Sequence, residues 1–329
     1  MNAWLNLLLA GLLLLATFVS LAVGSVPVDV LSGLWDWLNQ TPSTAAMVVG
    51  DIRLPRTLLA VLVGAALGLS GAALQGLLRN PLADPGLTGA SSGAALGAAA
   101  VFYWGIFPAA GVLAPALAGL LGAAMAMVCM LWLAGSGQTA MVLLAGLAVS
   151  TISGALLATV LNFAPNPFAM QELVFWLLGS VSNRSMQHVA VLASALLLGG
   201  VLLWRERTFL SAISLGESVA QSLGFGFAVH SRRVVLATAI LVGAAVSVAG
   251  GVGFVGLMVP HLLRRWVQHR PDGLLLPSAL LGGILVCIAD ILVRLMPPGR
   301  EVQLGVITAM LGAPLLVWLI WQERKPWRG

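Results

Sequence analysis

The chain alternates between long apolar runs and short polar segments. Runs such as Leu7–Val23 and Val189–Trp204 contain no charged residue, and about 20 apolar residues in a helix span the hydrocarbon core of a bilayer. Ten predominantly apolar runs lie near 5–23, 57–78, 89–107, 110–134, 140–163, 187–204, 234–250, 254–268, 273–296 and 304–321. They predict ten transmembrane helices; Gly250, Gly251 and Gly253 crowd the junction between the seventh and eighth. An outer-membrane barrel would show apolar and polar residues alternating along each strand instead.

Composition agrees. Of 329 residues, 60% are hydrophobic and 8% charged, with a mean hydropathy of +1.01. A soluble domain carries about 25% charged residues to keep its surface wet, so a soluble enzyme is excluded, as is a disordered chain. Cys129 and Cys287 both fall inside apolar runs, which leaves no disulfide framework and no cysteine metal site. The N-terminus has no basic leader and reads as a retained first helix.

The net charge of +5 comes from basic residues scattered in loops. With the N-terminus in the cytoplasm, Arg79, Arg205, Arg207, Arg232, Arg233, Arg264, Arg265, Arg270, Arg324, Lys325 and Arg328 fall inside, against Arg53, Arg56, Arg184, Arg294 and Arg300 outside. That bias predicts that both termini are cytoplasmic. Val63-Gly64-Ala65-Ala66 recurs as Val242-Gly243-Ala244-Ala245, and Gly71 and Pro81 have counterparts in Gly250 and Pro260, each pair 179 residues apart. The two copies would enter the membrane from opposite sides, the mark of an inverted repeat. Gly64, Gly68, Gly71 and Gly76 would let the second span approach its neighbours closely.

Three polar segments carry the candidate chemistry. Asp51-Ile52-Arg53-Leu54-Pro55-Arg56 sits at the outer mouth of the second span, where Arg53 and Arg56 share a face if the helix extends that far. Arg294, near the outer end of the ninth span, can snorkel to the same surface. Three guanidinium groups there suit either an acidic docking partner or interfacial anchoring. Asp290, the one acid well inside a span, is four residues from Arg294 and expected to pair with it. The second segment, Arg79-Asn80-Pro81-Leu82-Ala83-Asp84-Pro85-Gly86, is a non-helical turn at the cytoplasmic end of the second span and a candidate gate. The third, 205–233, reads as two short amphipathic helices joined at Gly216, a protein-binding knob on the cytoplasmic face.

The chain has no P-loop, so it hydrolyses no nucleotide. No span carries the arginine row of a voltage sensor or the carboxylates of a proton relay. Gly68-Leu69-Ser70-Gly71 matches the G-x-S-G of rhomboid-type intramembrane proteases, but of His188, His230, His261 and His269 none has a clear mid-membrane position facing Ser70. A secondary transporter would show coupling-ion ligands in broken helices, and no convincing set is present.

At these segments the chain resembles the permease subunits of type II ABC importers for iron chelates, haem and cobalamin. The matching stretches are 52–56, 79–86, 215–217, Gly253-Phe254-Val255-Gly256-Leu257-Met258-Val259-Pro260-His261 and 304–314, in family order across about five-sixths of the chain. The resemblance implies an all-α polytopic fold of ten helices with an inverted repeat, formed by residues 1–329 as one permease domain. It also implies a homodimer in the bacterial inner membrane with two cytoplasmic ATPase subunits, which hold the ATP and Mg, and a periplasmic binding protein. This chain itself would bind no cofactor and no metal. Arg53, Arg56 and Arg294 would dock the binding protein. Asn80 and Leu82 would form one cytoplasmic gate, and Thr139 with Ala140 the other. Leu215, Gly216, Glu217 and Ser218 would couple to the ATPases. The expected cargo is an iron siderophore or haem, with cobalamin as the alternative.

Overall fold

The computed structural model describes residues 3–135, 139–164, 167–268, 270–296 and 302–323. A helix occupies each of the ten apolar runs. They are α1 (Ala3–Ala22), α4 (Leu54–Leu78), α5 (Ala90–Trp104), α6 (Ala114–Ala134), α7 (Thr139–Asn162), α9 (Met186–Arg205), α12 (Phe227–Ala249), α13 (Val255–Leu263), α14 (Pro271–Arg294) and α15 (Leu304–Glu323). Between them lie shorter helices: α2 (Val30–Leu38), α3 (Thr44–Ala46), α8 (Pro167–Leu177), α10 (Arg207–Ser214) and α11 (Glu217–Ser222). Among the described residues, seven helical segments are long and apolar enough to cross a membrane alone. The eighth run differs most from expectation. Helix α13 has nine residues, or about 13 Å at 1.5 Å per residue, and the Arg264 side chain that follows it donates to Gln75 on α4.

Reciprocal packing organises the bundle. Helix α4 lies against α13 and α14, which follow α12, while α12 lies against α5 and α6, which follow α4. Each half thus wraps the other's central helix, the arrangement an inverted repeat predicts. The small residues of α4 make this possible. Gly64 meets the backbone of Gly282, Gly68 that of Ser278, and Gly71 that of Gly256, leaving no room for a Cβ. Without a hydrophobic force between helices in lipid, such close backbone approach is what holds them.

The basic residues gather at one end. Arg79 ends α4, Arg205 ends α9, Arg232 and Arg233 lie in the early turns of α12, Arg264 follows α13, and Arg270 caps α14. Arg300, Arg324, Lys325, Arg328 and His269 lie outside the described residues. The opposite end carries the end of α1, α2 and the start of α4. Here Asp29 caps α2 by accepting from the backbone of Leu31 and Ser32, and hydrogen bonds from Ser32 hold its carboxyl below the usual carboxylate range.

Helix α13 passes through Pro260, which cannot donate to the carbonyl of Gly256 four residues back. That carbonyl lies against Gly71, and the Gln75 side chain reaches it at 3.5 Å and the Leu257 carbonyl at 3.1 Å. Substituting Gly71→Val therefore forces α4 away from α13. Overpacking of this kind costs about 1–3 kcal/mol or more, expected as a lower thermal unfolding midpoint of the detergent-purified protein, whereas Gly11→Val, on the open face of α1, leaves it unchanged.

Candidate functional site

At the end carrying α2, a π-helical turn over Met47–Arg53 precedes α4. Arg53 ends this turn and Arg56 lies in the first turn of α4, and their side chains take different partners. Arg53 is 4% exposed and donates to the carbonyls of Leu21, Ala22 and Val26. Arg294 donates to Ser20 at 2.7 Å. Both guanidinium groups thus meet the last carbonyls of α1, which have no partner within their own helix and form the negative end of its dipole. Asp290, 1% exposed, pairs with Arg294 at 2.5 Å, as expected, and also with Arg56 at 2.8 Å. Arg56 retains 22% of its side-chain surface and is the most accessible of the three. The structure brings all three arginines together, two of them turned inward.

At the basic end, α4 finishes in a left-handed turn at Arg79, with Asn80 donating back to the Gln75 carbonyl. Asn80 then accepts from Leu82 through its side chain at 2.9 Å, and Asp84 from Gly86 at 2.7 Å. These two turns stiffen the 79–89 segment and leave Asn80 and Leu82 exposed. Its far side meets the break between α12 and α13, around a cavity of 240 Å³ lined by Asp84, Pro85, Ser91, Gly251 and Phe254. Thr139 and Ala140 open α7, but their side chains lie outside the described residues.

The expected pair of short helices is present as α10 and α11, joined where Gly216 takes φ +120°. Phe209, Leu210 and Ile213 of α10 are fully buried, while Leu215, Val219 and Leu223 are exposed at a spacing of four. Gly216 and Glu217 are half-buried and Ser218 is exposed. Two contacts tie this knob to the bundle. Arg79 approaches Glu217 at 4.0 Å. Glu206, buried at the α9–α10 junction, accepts from His230 at 2.6 Å and Arg233 at 3.3 Å, both on α12. His230 in turn stacks on Phe209.

Sequence reasoning assigned no role to Gln75 or Glu206. Each could have been noticed as a polar group at the margin of an apolar run, but its partners lie far along the chain. Ser70 donates to the Ala66 carbonyl of its own helix at 2.7 Å. Among the described residues, no group of three or more His, Cys, Asp and Glu side chains could hold a metal.

Residues 12–322 match the FecCD transport family. The chain belongs to that family. FecCD relatives include the hemin transport system permease protein HmuU of Yersinia pestis, 38% identical over 95% of this chain and 95% of that one. The vitamin B12 import system permease protein BtuC of Salmonella typhi is 37% identical over 98% of this chain and 96% of its own. Among solved structures, an inward-facing metal-chelate type ABC transporter superposes with a TM-score of 0.82 at 27% identity, covering 98% of this chain and 99% of that one. This FecCD member is the permease component of an ABC importer, a class that works with ATPase and binding-protein partners.

Asp290→Asn would leave Arg294 buried without its anion. Breaking one side of a buried ion pair costs about 3–5 kcal/mol, so the thermal midpoint should fall sharply. Arg56→Gln, at the half-exposed partner, should cost much less. An unchanged midpoint for Asp290→Asn would show that the Asp290 pairing with Arg294 and Arg56 does not hold the fold.

Proposed function

We propose that two copies of this chain form the pathway of an inner-membrane importer that passes a metal chelate, an iron siderophore or haem, from a periplasmic binding protein to the cytoplasm. The observation that carries the reading is the placement of an exposed apolar knob, α10–α11, beside the 79–89 turn at the basic end, in a chain matching FecCD from residue 12 to 322. The bias of arginines toward that end supports its assignment to the cytoplasm, with both termini there.

In this reading Leu215, Gly216, Glu217 and Ser218 seat on the partner ATPases, which bind ATP and Mg, while this chain binds no cofactor. ATPase closure moves the knob as a body, because Glu206 fixes it to α12 and Glu217 lies against Arg79. The gate of Asn80 and Leu82, with Thr139 and Ala140 opposite, then opens or closes as the two copies rock. Arg56 faces the acidic lobes of the binding protein, with Arg53 and Arg294 set behind it. Cobalamin is the second cargo to weigh, favoured by the BtuC relatives at nearly the same identity as the hemin permease.

Reconstitution in liposomes with the cognate ATPase and binding protein tests this, with uptake of a ferric siderophore, haem and cobalamin measured with and without ATP. Expected is ATP-dependent accumulation of one iron-containing cargo. Arg56→Glu should reduce it about tenfold at limiting binding protein, equivalent to about 1.4 kcal/mol of docking. Accumulation of cobalamin alone would replace the cargo, and ATP-independent accumulation driven by an ion gradient would overturn the importer reading.

A further inference from the structure

Helix α2 presents two apolar faces. One is occupied: Val30 and Gly33 are buried against the π-helical turn, where the Trp37 ring lies over Gly50 and donates to Asp51 at 3.1 Å. The other bears Leu31, Trp35 and Leu38, which are 67%, 69% and 70% exposed. At i, i+4 and i+7 they form one continuous stripe. Ser32, Asp36 and Asn39 flank it along one edge. A helix whose exposed stripe is apolar and whose edge is polar has the form of a segment lying in a membrane interface.

The surroundings identify what covers the stripe. Helix α1, with Leu7, Leu14 and Phe18 exposed, is a lipid-facing span that ends at Ala22, eight residues before α2 begins. The connection is pinned, since Arg53 holds Leu21, Ala22 and Val26 together. Helix α2 is therefore delivered to the membrane boundary where α1 leaves it. A tryptophan at the centre of the stripe belongs at that depth. Residues 24–52 carry Asp29, Asp36 and Asp51 and no Lys or Arg. Those acids disfavour an acidic protein surface and strongly anionic headgroups alike.

We infer that the Leu31–Trp35–Leu38 face of α2 is a lipid-binding surface, seated in the outer-leaflet interface on zwitterionic phospholipid. It fixes the height of the attached Arg53–Asp290–Arg294 cluster relative to the bilayer. The inference is independent of the cargo and of what docks at Arg56.

Single cysteines at positions 31, 35, 38, 32 and 39 in a Cys129→Ser background, spin-labelled in phosphatidylethanolamine-rich nanodiscs, test it. The ratio of oxygen to nickel-chelate accessibility should be several-fold higher at 31, 35 and 38 than at 32 and 39, and should fall as phosphatidylglycerol replaces the zwitterionic lipid. A uniformly high nickel accessibility would place the face in water and overturn the inference. So would protection that appears only when binding protein is added, or only in nanodiscs holding two copies, which would assign the stripe to a protein partner.

Discussion

Inside a bilayer no water is available to satisfy a backbone carbonyl, so every interruption of a helix must find its partner within the protein. Much of this architecture answers that constraint. Pro260 frees the carbonyl of Gly256, and Gly71 and Gln75 of α4 come up against it. Helix α1 ends with carbonyls that Arg53 and Arg294 cap. Helix α12 stops at Ala249, whose carbonyl accepts from Ser180. Each repair joins segments distant in sequence, so satisfying the backbone also fixes the tertiary structure.

The same repairs sit at both ends of the bundle. Arg294, one of the two arginines that close α1, also pairs with Asp290, which pairs with Arg56 as well and leaves that guanidinium the most accessible of the three. At the other end, Gln75 binds α4 to α13 and accepts from Arg264 at 2.8 Å. The 79–89 turn, the short α13 and the α10–α11 knob are thereby parts of one connected assembly.

The ten runs were legible because lipid imposes a length and a composition that no soluble element imitates. The two helices around Gly216 were legible too, since amphipathic spacing is local information. The inward turn of Arg53 was not, because its acceptors are the carbonyls of Leu21, Ala22 and Val26, 27 to 32 residues earlier in the chain. The second partner of Asp290 was hidden by a separation of 234 positions along the chain. The extent of α13 was misjudged because Trp266 and Val267 resume an apolar character beyond Arg264 and Arg265, while the helix ends at Leu263. Helix α2 was passed over because its nine residues fall below span length, although its spacing was there to be read.

Reciprocal packing also has a consequence for synthesis. Gln75 reaches its partner Gly256 across 181 residues, and a ribosome adding 5–20 residues per second needs roughly 10–40 s to cover that distance. During that interval α4 stands in the membrane with its glycine face uncovered and its glutamine without its partners on α13. The face that makes the finished bundle tight is therefore, on the nascent chain, an open surface that surrounding lipid or insertion machinery must shield until α13 and α14 arrive.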